Sequence, residues 1–141
     1  MRSLSLIEAD LAAERAALRR AREMEESADA SGNESDYDNA RGMAMAACER
    51  IDALRLEASR AQYVGIADAV DAGAFSPRFQ AVDIGGYWAI ADVREHRIVE
   101  SGGALRSVVD ARAREMCHFS RQREAADKLH AEPIGLATRR R

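Results

Sequence analysis

The chain has 141 residues, of which 47% are hydrophobic, and it carries 21 basic and 24 acidic residues. Alanine fills 29 of the apolar positions, so 37 larger apolar residues remain for the core of one domain, or of one domain with a helical extension. The near balance of charge excludes a global field that recruits nucleic acid or an anionic membrane, and no apolar window approaches the ~18 residues of a membrane span.

The cysteine content and the N-terminal residues indicate the compartment. Cys48 and Cys117 are too few for a disulfide framework, which fits a reducing environment. The N-terminal segment meets Glu8 before the apolar core of a signal peptide can form. We therefore expect the protein in the cytoplasm.

Two long amphipathic helices are predicted in the N-terminal half. The first spans about residues 5–28 and the second about residues 37–72. Apolar residues recur at helical spacing in the first helix, and a seven-residue repeat of mostly small residues runs along the second: Leu4, Ile7, Leu11, Leu18 and Ala21; then Ala44, Ala47, Ile51, Leu54, Ala58, Ala61 and Gly65. The pattern predicts an antiparallel helical hairpin over residues 1–74.

The residues between and after these helices predict how they begin and end. Residues 30–36 are typical of a turn, in which Ser35 or Asp36 would cap the second helix. Gly73 stands where a C-terminal cap belongs, and a proline follows shortly after it. We expect the second helix to end there.

The C-terminal half begins with residues that are typical of β-strands. Residues 87–93 are aromatic and β-branched, residues 97–101 read as a return strand, and residues 80–84 alternate as a third strand does. Gly102–Gly103 would turn the chain from strand to helix, and Ser107 would begin that helix.

These elements complete the predicted architecture. The last helix would end at Pro133. We expect a small ββα unit over residues 75–132 and a flexible arginine-rich tail over residues 133–141. The predicted fold class is α+β: a long antiparallel helical hairpin, then a small antiparallel sheet with a C-terminal helix packed on it.

The sequence offers little to an enzyme or a metal. Cys117 and His118 are neighbours whose side chains point about 100° apart on a helix, so they cannot hydrogen-bond as a dyad. Paired-cysteine, histidine and phosphate-loop motifs do not occur. We therefore expect no catalytic activity, no metal and no cofactor. An enzyme would need His96, His118 and Cys117 to converge in one cleft.

The charge distribution indicates where a partner binds. Residues 29–38 include four acidic residues and no basic one, whereas residues 107–141 have eight basic residues against five acidic ones. An acidic turn complements a basic groove on a partner, including one that normally holds nucleic acid. The candidate partner-binding residues are Glu34, Asp36, Asp38, Arg112, Arg121 and Arg123. Replacing the three acidic residues by alanine should weaken partner binding.

Residues 86–129 carry one resemblance. The order of residues 87–92, a polar turn, residues 97–100, a glycine pair and a helix resembles the ββα unit of small phage-borne and plasmid-borne accessory proteins, among them anti-CRISPR proteins and other host-factor inhibitors. The resemblance implies a mode of action, in which the protein binds a larger host complex and blocks it.

The expected function is accordingly a non-catalytic protein-binding module, an inhibitor or adaptor of a larger complex. The alternative is a nucleic-acid-binding accessory protein that uses the arginine-rich last helix and tail. The seven-residue repeat also leaves open whether the hairpin closes within one chain or between the two chains of a homodimer.

Overall fold

The computed structural model describes the backbone of residues 1–139 and the side chains of residues 1–131. Its elements are α1 (Leu4–Ser31), α2 (Glu34–Ile66), a short 3-10 helix (Ala67–Ala69), β1 (Phe79–Ile84), β2 (Tyr87–Asp92), β3 (Arg97–Gly103) and α3 (Arg106–Arg139). The predicted α+β class, with a helical hairpin, an antiparallel sheet and a C-terminal helix in that order, is confirmed. None of the described helices is both long and apolar enough to cross a bilayer.

The chain divides into two compact units, Met1–Gly65 and Ile66–Arg141. The sequence prediction placed the boundary later, after residue 74, because it extended α2 to Ala72. In the structure α2 ends at Ile66, whose backbone already departs from helical geometry (φ −122°, ψ 10°). The helix ends one residue after Gly65, where the apolar repeat stops and a glycine costs the helix up to ~1 kcal/mol.

The first unit is an antiparallel pair of helices. Ile7 and Leu11 of α1 pack with Ile51 of α2, and partly buried residues of the two predicted stripes surround them: Leu18, Leu54, Ala58 and Ala61. Alanines fill the buried positions nearer the turn: Ala21 and Ala28 of α1, and Ala40, Ala44 and Ala47 of α2. The predicted stripes are therefore the buried faces, except that Gly65 is exposed.

The turn between α1 and α2 is shorter than predicted and consists of Gly32 and Asn33. Gly32 adopts a left-handed conformation (φ 70°), and the N–H groups of both residues donate to carbonyls in the last turn of α1. Asn33 Oδ1 accepts a hydrogen bond from the N–H of Asp36 at 3.1 Å. Asn33 is therefore the N-cap of α2, and the prediction of Ser35 or Asp36 was wrong.

The three strands form an antiparallel meander in the order β1-β2-β3. β1 and β2 are joined by Gly85 and Gly86, whose positive φ angles (59° and 101°) suit a two-residue hairpin turn. The register between β1 and β2 is regular. The register between β2 and β3 shifts twice, between Trp88 and Ala89 and between Ile90 and Ala91.

Helix α3 packs on one face of this sheet. Ile90 of β2 and Val109 and Ala113 of α3 form the buried centre, and five partly buried residues surround it: Phe79, Ala81, Trp88, Val99 and Met116. Gly102 lies within β3, and a Cβ at this position would overlap Cγ2 of Val109. Gly102 therefore permits the close approach of α3 to β3. The sequence predicted only a turn from strand to helix at this glycine.

Helix α3 also runs past its predicted end. It extends to Arg139, whereas the sequence predicted that Pro133 ends it. A proline removes one backbone donor, and a helix can continue beyond it with a kink. The predicted flexible tail, residues 133–141, lies largely outside the described part of the chain. The side chains of all its residues, and also the backbone of Arg140 and Arg141, are not among the described residues.

Candidate functional site

A groove of about 610 Å³ lies within the second unit, between β1 and α3. One wall is the segment of residues 71–77, the floor is the start of β1, and the other wall is the side of α3 from Asp110 to Glu124. This groove is much larger than the depression at the turn of the helical hairpin, which measures about 180 Å³.

Gln80 holds the segment of residues 71–77 against β1. Its Nε2 donates to the carbonyl oxygens of Asp71 at 2.6 Å and Pro77 at 2.9 Å, and its Oε1 accepts from the N–H of Asp71 at 2.9 Å. The side-chain amide thus replaces backbone pairing along the segment. The shape of this wall consequently depends on one glutamine.

Hydrogen bonds within the segment of residues 71–77 also stabilise it, and the segment exposes the aromatic ring of Phe75. The Ser76 hydroxyl and the N–H of Gly73 donate to the carboxylate of Asp71 and hold its pKa below the ordinary value. Phe75, between the two donors, is fully exposed at the rim of the groove. The rim therefore offers an apolar contact that the protein itself does not use.

An ion pair between Arg78, at the floor of the groove, and the buried Asp92 joins the strands. The Nε and Nη2 atoms of Arg78 donate to the two carboxylate oxygens of Asp92 at 3.0 and 2.9 Å, and Asp92 is 1% exposed. The N–H groups of Arg94 and Glu95 donate to the same carboxylate at 3.1 and 3.2 Å. Nη1 of Arg78 reaches the hydroxyl of Ser120 in α3 at 3.2 Å. The network thus fixes β1, β2 and α3 to one another.

These contacts set the ionisation of Asp92. Burial alone raises the pKa of its carboxyl group, but the hydrogen bonds from Arg78 and from the N–H groups of Glu95 and Arg94 outweigh burial. The pKa of Asp92 therefore lies below its ordinary value. The carboxylate stays ionised at neutral pH and keeps Arg78 engaged.

Cys117 of α3 bonds to the backbone of Phe79 at the outer edge of β1, the edge that does not face β2. The N–H of Phe79 donates to Sγ at 3.3 Å, and the thiol donates to the carbonyl of Phe79 at 3.5 Å. His118 is exposed, and its ring lies beside that of Phe119 with 6.1 Å between centroids. Cys117 and His118 thus face different surroundings, as their spacing on a helix predicts.

The rest of the outer edge of β1 is open. The N–H of Val93 donates to the carbonyl of Arg78 at 2.8 Å, so the residues of this ladder that bond to β2 are 78, 80, 82 and 84. The backbone groups of the residues between them point away from β2. Those of Phe79 meet Cys117, whereas those of Ala81 and Asp83 bond to no other described residue.

Two arginines on the groove side of α3 are not engaged. Arg114 and Arg121 are exposed, line the groove, and form no ion pair or hydrogen bond with any described side chain. They lie seven residues apart, two helical turns or about 10 Å along the axis. The groove thus holds two cations that the described residues leave without a partner.

The other charges that line the groove are paired. Arg94 meets Glu124 at 2.6 Å, and Asp110 meets Arg106 at 3.5 Å. Asp71 accepts hydrogen bonds from its own segment. The local charges therefore leave Arg114 and Arg121 available to an outside anion.

The predicted acidic residues lie at the start of α2. Glu34, Asp36 and Asp38 are all exposed. Asp36 Oδ2 accepts a hydrogen bond from Nδ2 of Asn33 at 2.7 Å, so this residue is part of the cap. Carboxylates in the first turn of a helix also stabilise it through the helix dipole. Asp36 thus has a local structural role, and the three residues remain a prediction for partner binding.

The three predicted arginines of α3 have different surroundings. Arg121 lines the groove, whereas Arg112 binds Glu100 at 3.1 Å and Glu115 at 3.2 Å. The hydrogen bond that Arg112 donates to Glu100, followed by the one that it donates to Glu115, raises the pKa of Arg112. Arg123 is exposed outside the groove lining.

Sequence reasoning missed several residues of the site. Arg114 is not among the candidate residues that the sequence indicates, although residues 114, 117 and 121 follow the three- and four-residue spacing of one helix face. Arg78, Gln80 and Asp92 carry no local signal for their partners, except that an aspartate at the end of a strand often accepts hydrogen bonds from the following turn.

Within the described residues, no three histidine, cysteine, aspartate or glutamate side chains are grouped so as to hold a metal ion. A comparison with protein-family models found no match, and comparisons with curated proteins and with solved structures found none either.

Proposed function

We propose that this protein is a non-catalytic protein-binding module, and that its partner binds in the groove between β1 and α3. The observation that carries the proposal is that the groove brings Ala81, at the open edge of β1, together with Arg114 and Arg121, two arginines that no described side chain pairs. Backbone groups supply affinity for a peptide chain, and arginines select its charge.

The shape of the groove supports this site over the acidic turn. A concave surface of about 610 Å³ encloses a large part of a bound segment, whereas the depression at the turn is about 180 Å³. The rim residue Phe75 adds an exposed aromatic side chain, a residue type enriched at protein interfaces. The groove therefore combines the features that a docked segment uses.

Sequestration is the mode of action that follows. A partner segment held in this groove is unavailable to its own complex, so the protein acts as an inhibitor or adaptor without chemistry. This mode agrees with what the resemblance to mobile-element accessory proteins implies. The alternative, a nucleic-acid-binding accessory protein, would place phosphates on the same two arginines.

Peptide display tests the proposal. A library of random peptides is selected on the purified protein, and the selected ligands are measured on the wild type, on the double variant Arg114→Gln/Arg121→Gln and on the control Arg123→Gln. We expect ligands that bind the wild type and the control equally and lose at least about tenfold in affinity on the double variant.

Three outcomes would overturn the proposal. In the first, selection enriches no peptide at all; in the second, it enriches peptides that the double variant binds as well as the wild type does. The third is that a single-stranded oligonucleotide binds with affinity that falls steeply with salt while no peptide is enriched, which would establish the nucleic-acid alternative.

A further inference from the structure

We infer that the partner binds as an extended, acidic segment that adds a fourth, antiparallel strand to the sheet along β1. This inference rests on the proposed function and states the conformation and the charge of the ligand. It is carried by the direction of the backbone groups of β1 and by the position of the two unpaired arginines of α3.

The C-terminal end of β1 has backbone N–H and C=O groups that can bond to an added strand. Ala81 and Asp83 each direct an N–H and a C=O away from β2, and these four groups repeat with the two-residue period of a strand. Cys117 closes the edge at Phe79, and the Gly85–Gly86 turn follows its other end. The open stretch is therefore short and accepts a segment of about five residues.

The opposite edge of the sheet lacks this regularity. β3 pairs with β2 through two register shifts, and such bulges twist an edge and disfavour further pairing. The register of β1 with β2 is unbroken from Phe79 to Ile84. Strand addition is thus favoured at β1.

The geometry of an added strand places its alternate side chains toward α3. Residues directly opposite each other in an antiparallel pair have side chains on the same face. Ala81 packs against the cluster that α3 covers, so the ligand residues that bond to Ala81 and Asp83 also direct their side chains to the α3 side. The residues between them point to the other face.

Charge complementarity identifies those side chains. Arg114 lies about one helical turn from Cys117 on the side of Ala81, and Arg121 lies about one turn from Cys117 on the side of Arg78. Arg114 therefore faces the ligand residue that pairs with Ala81, and Arg121 faces the ligand residues that continue past Phe79 into the groove, where alternate positions of a strand lie about 6.7 Å apart. Arginine binds carboxylates with paired hydrogen bonds. The ligand therefore carries glutamate or aspartate at alternate positions.

A second copy of this chain is a poorer occupant. Its own β1, Phe79–Ile84, offers a single acidic residue, Asp83, whose carboxylate already accepts a hydrogen bond from the N–H of Gly86 at 3.1 Å. Pairing of two β1 strands would consequently leave most of the arginine charge unmatched. The observations favour a separate acidic segment.

Three peptides test the inference on the full-length protein. The probe is acetyl-Val-Glu-Val-Glu-Val-Glu-Val-amide with a fluorescent label; the second peptide carries N-methyl groups on its glutamates, and the third carries them on its two internal valines. The glutamate N–H groups face β1 in the proposed complex, whereas the valine N–H groups face solvent. Dissociation constants are measured by fluorescence anisotropy.

We expect the probe and the valine-methylated peptide to bind within about threefold of each other, and the glutamate-methylated peptide to lose at least about tenfold. The Arg114→Gln/Arg121→Gln variant should lose a similar factor for the probe, and Arg123→Gln should lose none. In hydrogen exchange, the amides of Ala81 and Asp83 should become protected on binding, whereas those of Gln80 and Val82 are already bonded to β2.

Several results would overturn the inference. Equal binding of the two methylated peptides would exclude strand addition, and a stronger loss on valine methylation would exclude the antiparallel arrangement. Absence of probe binding would exclude the acidic strand as the ligand. If displayed peptides nevertheless bind in a way that depends on Arg114 and Arg121, the proposed function stands while this inference fails. Sedimentation that shows dimers blocked by the probe would assign the edge to a second copy.

Discussion

The acidic turn of the helical hairpin and the arginine groove of the second unit are both charged and exposed, yet they differ in what their charges do. At the turn, Asp36 completes the cap that begins α2, and the surface around it is a shallow depression. In the groove, the lining residue Arg78 is held by the buried Asp92, and Arg114 and Arg121 form no ion pair with any side chain that the structure describes.

The difference teaches that a run of like charges is a weak indicator of a binding site. Carboxylates at the start of a helix stabilise that helix, and exposed charges contribute little when nothing encloses their partner. A binding site also needs concave shape and unsatisfied groups that point into it. The groove meets both conditions, and the predictions below probe the elements that keep the two regions distinct.

The largest effect should come from Asp92→Ala, which leaves the partly buried Arg78 with Glu95 at 4.0 Å as its nearest carboxylate and removes the acceptor of the Arg94 and Glu95 N–H groups. Breaking such a pair costs about 3–5 kcal/mol of unfolding free energy. Trp88 is the single tryptophan and lies in β2, so its fluorescence during urea unfolding reports on the second unit. The exposed Asp127→Ala serves as the control and should change the midpoint little. An unchanged midpoint for Asp92→Ala would show that the network does not support the groove.

The next effect concerns the hairpin. Ile51→Ala removes the α2 member of the cluster with Ile7 and Leu11 and should lower the free energy of unfolding by about 2–5 kcal/mol. Circular dichroism at 222 nm follows the helices. Met45→Ala, on the same helix but exposed, should cost no more than about 0.5 kcal/mol. Equal effects of the two substitutions would contradict the packing of α1 on α2.

Two glycines should respond to alanine with opposite signs. Gly102→Ala should destabilise the second unit by about 1–3 kcal/mol, because the added Cβ overlaps Val109. Gly42→Ala lies inside α2 with no atom near the added Cβ and should stabilise that helix by up to ~1 kcal/mol. Thermal unfolding measures both, and a stabilising effect of Gly102→Ala would refute the close approach of α3 to β3.

The smallest effect should appear on mild acidification. Asp92 has a folded-state pKa below its ordinary value of 3.8, so its contribution is fully present above that value and is lost as the pH falls through the folded pKa. We expect this contribution to be retained at pH 5 and to decline below about pH 4. In Asp92→Asn the free energy of unfolding should fall less steeply with pH, because the carboxyl group of Asp92 no longer contributes to the pH dependence. Identical profiles for the two proteins would show that Asp92 has an unshifted pKa.

The sequence predicted what local pattern determines. The spacing of Ile7, Leu11 and Ile51 identified the buried faces of the hairpin, and the aromatic and β-branched residues 87–93 identified a strand. The sequence predicts too late an end for α2, since Gly73 suits a C-terminal cap whereas Gly65 already weakens the helix. Local signals fix the existence of elements more firmly than their ends.

The site depended on contacts that the sequence does not reveal. Arg78 finds Asp92 across the register of β1 and β2, and Arg112 finds Glu100 across the packing of α3 on β3. Which arginines remain unpaired is therefore decided by tertiary structure. Likewise, the edge is open at Ala81 because alternate residues of β1 bond to β2 and Ala81 is one of those that do not. Composition and periodicity do not specify which of the two alternating sets bonds to β2.

One measurement tests the central claim that the groove, rather than the acidic turn, binds the partner. The affinity of the display-selected ligands is measured side by side for Arg114→Gln/Arg121→Gln and for Glu34→Ala/Asp36→Ala/Asp38→Ala. We predict a loss of at least about tenfold for the groove variant and an unchanged affinity for the turn variant. A loss confined to the turn variant would contradict the claim and would assign partner binding to the helical hairpin.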